Sequence, residues 1–157
     1  MRVVSATVLI IVVLLASSCG GGGNSNSPSA SVYKGQLKTI AGESDAAQHA
    51  VEKGFQSTSV PQLVKVLGTF AATEKRIGDQ VAKLDPPKDA VAANAELAGG
   101  QRDTASEVHA VLPKIEKMTS TKAAIAYLSK APTTKGGREV DEALAKLKHL
   151  GYIKSVS

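Results

Sequence analysis

Residues 61–87 read PQLVKVLGTFAATEKRIGDQVAKLDPP, and in them Leu63, Phe70, Ile77 and Leu84 recur every seven residues with Leu67 and Val81 at the interleaved positions. Seven residues is close to two turns of α-helix, so these side chains line one face and need an apolar partner along its whole length. Pro61 falls in the first turn, where a missing amide hydrogen costs nothing. Asp85, Pro86 and Pro87 end the helix, because the residue before a proline is pushed out of the helical region and neither ring can donate a hydrogen bond. A chain reversal must follow.

Working outward, the flanking segments are also helical in character: Ala, Lys, Leu and Glu dominate and strand patterns are nearly absent. In the segment before it, Tyr33, Leu37, Ile40, Ala47 and Val51 share a face, with Ser44 filling the remaining slot, and Gly54 followed by Ser57 to Ser59 ends it. The third segment, from about Lys88, carries Val91, Leu97, Val108, Val111, Ile115 and Met118 inward. Gly99 and Gly100 weaken it, and Pro113 is expected to kink or break it. A short helix over Lys122–Lys130 is capped by Ser120 or Thr121 and closed by Pro132. The last runs from about Thr134 to Leu150 with Val140, Leu144 and Leu147 inward, and Gly151 supplies a left-handed stop. Helices of about 22 to 25 residues joined by short turns pack antiparallel. The expected fold is therefore all-α, an up-and-down bundle of four main helices plus one short helix, with an open array of helical hairpins as the alternative.

Ahead of the helices, Met1 and Arg2 precede a fourteen-residue apolar stretch, Val3 to Ala16, and small residues Ala16, Ser17 and Ser18 lead into Cys19 and the run Gly20 to Gly23. This reads as a bacterial lipoprotein signal: residues 1–18 are the leader, and the Cys19 thiol is the lipid attachment point and first mature residue. Leu15 lies four residues before the cysteine rather than three, with Ala16 in the usual leucine position. An uncleaved membrane span would need about 20 apolar residues. Cys19 is the sole cysteine, and acylation would remove the reactive liability of an unpaired thiol in an exported protein. Residues 19–31 form a lipidated cysteine and a Gly, Ser, Asn and Pro tether, and 32–157 form the helical domain.

The net charge of +5 falls to +4 in side chains once Arg2 leaves with the leader. From Val32 to Pro113 nine basic residues face ten acidic ones, whereas from Lys114 to Ser157 nine face four. The basic end suits anionic head groups or an anionic surface polymer, although lysines spread over solvated helix faces give the same count. Aromatic residues make up 3% of the chain and no recognised nucleic-acid motif occurs, which argues against a nucleic-acid partner. The partners expected are the membrane, through the lipid anchor, and an envelope protein or anionic surface polymer.

Glu74 occupies a core slot of the seven-residue pattern between Phe70 and Ile77. A reversal about Pro86 sets it level with Ala98 to Gly100, and one near residues 57 and 58 sets it level with Ala41 and Gly42. Facing small side chains, with Gln101 and Arg102 within about one turn, it marks a mid-bundle pocket for a small polar or cationic ligand. The competing reading has the glycines bring the helices together while Glu74 reaches water or pairs with Arg102 or Lys38. Asp45, His49 and Glu52 share a helix face, but it is not the core face, and no Glu-x-x-His motif precedes any histidine, so surface ion pairing is preferred to a metal site. Ser31 to Lys34 forms Ser-x-x-Lys without its companion elements, and Gly20 to Gly23 follows no strand. No catalytic residue, metal or cofactor is expected, and a non-enzymatic binding or scaffolding role is.

The lipobox, the Gly and Ser tether, the helix ending Leu84-Asp85-Pro86-Pro87 and the last helix ending Leu150-Gly151-Tyr152 together resemble small lipoproteins of high-GC Gram-positive, actinobacterial-type bacteria. The resemblance implies an envelope helical domain and transfers no catalytic residue. Such proteins often have His or Arg early in the third helix, where this chain has Asn94.

Overall fold

A computed structural model describes residues 28–56, 59–131 and 134–153. Cys19, Ser57, Thr58, Pro132 and Lys154 therefore lie outside the described residues. Those described are helical, without strands: α1 (Pro28–Gly54), α2 (Val60–Val81), α3 (Val91–Glu116), α4 (Thr121–Leu128) and α5 (Lys135–His149). The bundle of four long helices and one short one agrees with the sequence expectation. Among the described residues no helix is long and apolar enough to cross a membrane.

The helix starts follow the chemistry of their caps. Ser59, Ser120 and Thr134 lie in extended backbone and accept hydrogen bonds from the amides of Gln62, Ala123 and Gly137, satisfying donors that the first turn leaves free. Gly151, with φ 77°, turns the chain after α5 in the left-handed region. α1 begins four residues earlier than the expected tether boundary: Pro28 starts it, and Ala30 is fully buried. Proline favours a helix start, and an alanine at that core position lengthens the buried stripe.

α3 corrects two further expectations. It runs through Pro113 to Glu116 rather than breaking there. The proline and the preceding-turn residue His109 are both exposed, so the carbonyl left without an amide partner can bond water. Val91 is 52% exposed instead of inward, because the buried stripe at the start of α3 is Ala90, Ala93, Asn94 and Leu97.

The core divides along the bundle axis. At one end, here the base, Tyr33 and Leu37 of α1, Ile77 and Val81 of α2, Leu97 of α3, Val140 and Leu147 of α5 and Tyr152 form one apolar cluster. At the other end, the top, Val51, Leu63, Leu67, Ile115 and Ala124 form a second, packed against Phe55, Phe70 and Leu128. α5 completes the bundle at the base and α4 at the top. Backbones approach closely where α3 meets α5: a Cβ on Gly100 would stand 2.9 Å from the Val140 amide nitrogen, and one on Gly136 would overlap the Thr104 amide nitrogen and stand 2.7 Å from the Gly100 carbonyl oxygen. The glycines expected to weaken α3 therefore include one that lets α5 dock.

Candidate functional site

Between the two clusters lies a waist of small and polar side chains: Ala71 and Glu74 of α2 and Gln101 and Ala105 of α3 are buried but belong to neither cluster. Glu74 is 3% exposed, and its Oε1 has no hydrogen-bond partner. Burial alone pushes its carboxyl up to about 7, because a charge there loses its hydration and gains nothing in return. The core slot read from the heptad is thus the slot the fold uses.

Its neighbours along the axis differ from the expected ones. Gly78 faces Ala98 and Arg102, and the Asn94 amide donates to the Val81 carbonyl at 3.0 Å. One turn back along α2, Glu74 is level with Gln101 to Ala105 rather than Ala98 to Gly100. Helical side chains lean toward their own N-terminus, which carries a residue of α2 further along antiparallel α3 than a count about the turn gives. On the α1 side, Arg76 pairs with Glu43 and Gly54 abuts Val66, so Glu74 is level with residues 45–46 rather than Ala41 and Gly42.

Of the three residues expected around the pocket, the structure buries two and diverts the third. Gln101 is 7% exposed and lines a cavity of about 40 Å³ shared with Leu37, Ile77, Leu97 and Val140, with Ser44 and Asp45 also on its wall. Glu74 is not among its lining residues. Arg102 turns outward, where its Nε donates to Asp79 Oδ1 at 2.8 Å. Asp79 also accepts from Lys75 Nζ at 2.9 Å, and these two bonds, that from Lys75 foremost, hold its carboxyl below the usual range. Arg102 is thus paired with Asp79, and among the described residues no cation compensates Glu74. A cavity of this size holds a water molecule or two and excludes organic ligands unless the helices part.

The base has a polar cluster that the apolar pattern did not reveal. Tyr33 Oη donates to Asn94 Oδ1 at 3.0 Å, and the amide of Asn94 donates onward to Val81. Tyr152 packs edge-on against Tyr33 with centroids 5.3 Å apart, and its hydroxyl donates to Asp89 Oδ1 at 2.8 Å. Burial pushes both tyrosine hydroxyls up, that of Tyr152 to about 12 with help from Asp89. The usable signal was Asn94 itself, a polar residue in phase with Ala90, Leu97 and Gln101. The cluster ties α1, α2, α3 and the chain after α5 with directional bonds.

Elsewhere, His49 Nδ1 and Glu52 Oε2 lie 3.1 Å apart on an exposed face, as the surface pairing anticipated. Asp45 does not join them: it lies on the wall of the cavity. Among the described residues no three His, Cys, Asp or Glu side chains converge as metal ligands. No family model, curated protein or solved structure matches the chain.

Proposed function

We propose that the chain is a lipid-anchored, extracytoplasmic helical module without catalytic activity that binds or scaffolds an envelope partner. The observation that supports it most is where the anchor segment joins the fold. α1 starts at Pro28, at the base, eight residues after Gly20. Residues 20–27 can span at most about 29 Å when extended, so acylation of Cys19 keeps the base near the membrane. α1 is about 40 Å long, which carries the top with α4 outward. The test is fractionation of cells making the full chain or Cys19→Ser: the native chain should sediment with membranes and be digested by protease added outside, and Cys19→Ser should appear in the medium. Equal membrane retention of both forms would contradict the anchor.

A second reading, a small polar or cationic ligand at the waist, is favoured by one observation, the buried and unpartnered Glu74 Oε1. It requires the waist to open, since Glu74 does not line the existing cavity. Calorimetry with small organic ammonium ions should then give heat with the native chain and none with Glu74→Gln. Silence from both would dismiss it.

A further inference from the structure

The ion pairs of the molecule are unevenly placed. Every described pair made by a lysine or arginine joins residues at the waist or base: Lys75 and Arg102 with Asp79, Arg76 with Glu43, Lys135 with Asp103 and Glu139, Lys146 with Glu96. At the top, Lys114, Lys117, Lys122 and Lys130 around α4 are all exposed, as are Lys53 of α1 and Lys65 of α2, and none of the six is among the described ion pairs. Across residues 114–131 the four around α4 face one carboxylate, Glu116. Lys114 Nζ lies 4.3 Å from the ring centroid of Tyr127, which fixes one ammonium group beside α4.

Helix stability accounts for only part of this. Lys114 and Lys117 stand at the C-terminal end of α3, where a cation complements the helix dipole. Lys122 stands in the first turn of α4, at the positive end of that helix, and no acidic residue accompanies it there. A lysine at that place opposes the dipole, so its presence needs another cause. The same helix end and the four ammonium groups attract anions in the same direction.

We propose that the α4 end of the bundle is a docking surface for a polyanionic phosphodiester polymer. The assignment rests on the anchored-module reading for where the partner lies. With the base near the lipid surface, the top stands about 40 Å away, several times the screening length of roughly 8 Å at physiological ionic strength. Anionic head groups beneath the base hold little attraction for charges at that height, whereas a polymer extending outward from the membrane meets them. Successive phosphates on a flexible chain can engage the four ammonium groups without a shaped pocket.

The test uses the purified full chain in detergent, so it reports on the surface whether or not Cys19 is acylated. Binding to poly(glycerol phosphate) is measured by calorimetry against salt concentration for the native chain and two variants of equal charge. One carries Lys114→Gln, Lys117→Gln, Lys122→Gln and Lys130→Gln. The other carries Lys38→Gln, Lys83→Gln, Lys88→Gln and Lys148→Gln, four exposed lysines of the waist and base that are also outside the described ion pairs. Circular dichroism checks that each remains helical. The expected result is binding that weakens with salt and falls at least about tenfold in the first variant, with a shallower salt dependence, while the second stays within about threefold of native. Equal loss in both, or no binding by the native chain, would overturn the proposal. Vesicles of phosphatidylglycerol captured through the same four lysines while the polymer is ignored would overturn it in favour of a lipid surface.

Discussion

The base and the top of this bundle are built by different means. From the base up to the waist, α5 docks on α3 with a glycine contact at its upper end, and buried hydrogen bonds from Tyr33 through Asn94 to Val81 fix how α1, α2 and α3 meet. At the top, α4 closes a cluster of apolar side chains, Leu63, Leu67, Ile115 and Ala124 among them, whose attraction is not directional. Directional bonds and backbone contact specify one arrangement, and apolar burial tolerates several. The difference teaches that the end where α1 begins carries the geometric specification of the fold, which leaves the α4 end free to carry charge.

The largest effect should come from the close α3–α5 contact. Gly136→Ala puts a methyl group into the Thr104 and Gly100 backbone, and we expect a loss of about 3 kcal/mol even after the gain in helix propensity. Thermal unfolding should shift by at least about 10 °C. Gly99→Ala, where a Cβ meets nothing within 4 Å, should instead leave stability unchanged or raise it by up to about 1 kcal/mol. If both alanines behave alike, the contact does not specify how α5 docks on α3.

At the waist, Glu74 should impose a pH dependence. Its folded carboxyl titrates near 7 against an ordinary value of 4.5, so between these values the native state holds a proton that the unfolded chain has released. Stability therefore falls as pH rises from about 4.5 and levels off above about 7, a loss on the order of 3 kcal/mol. Glu74→Leu should remove that slope and be the more stable form at pH 8, measured by urea unfolding across the range. A slope that survives the substitution would assign it to another group.

Asn94→Ala strands the Tyr33 hydroxyl inside the base and takes from the Val81 carbonyl one of two bonds, leaving that from the Leu84 amide, and should cost about 2 kcal/mol in chemical denaturation. Smallest of all, Lys122→Glu replaces an opposing charge with a complementary one in the first turn of α4. It should stabilise by a few tenths of a kcal/mol to about 1 kcal/mol. A destabilising result would mean that Lys122 supports α4 rather than being carried at its expense.

How much of this was legible depended on whether a residue signals by its own apolarity or by its partner. The heptad of α2 is self-contained, and it located both the helix and the core slot of Glu74. The cap of α4 was legible because Ser120 acts on an amide three residues away, and Ser59 and Thr134 do the same where the sequence showed only a boundary. The base was less so. Gly100 reads as a weak point until Gly136 is seen against it, and Asn94 reads as a departure until Tyr33 and Val81 supply its bonds. The site was least legible, because placing Arg102 beside Glu74 requires the register of two helices to within less than a turn, and the carboxylate of Asp79 competes for the same guanidinium. The four top lysines were visible as an excess in the C-terminal third, but not as a cluster around α4.

The account turns on orientation, and orientation turns on Cys19. Intact-mass analysis of the full chain extracted from bacterial membranes tests it directly. We predict a mature protein that begins at Cys19 and carries a diacylglycerol thioether. A chain that retains residues 1–18, or begins elsewhere with its thiol free, would contradict it.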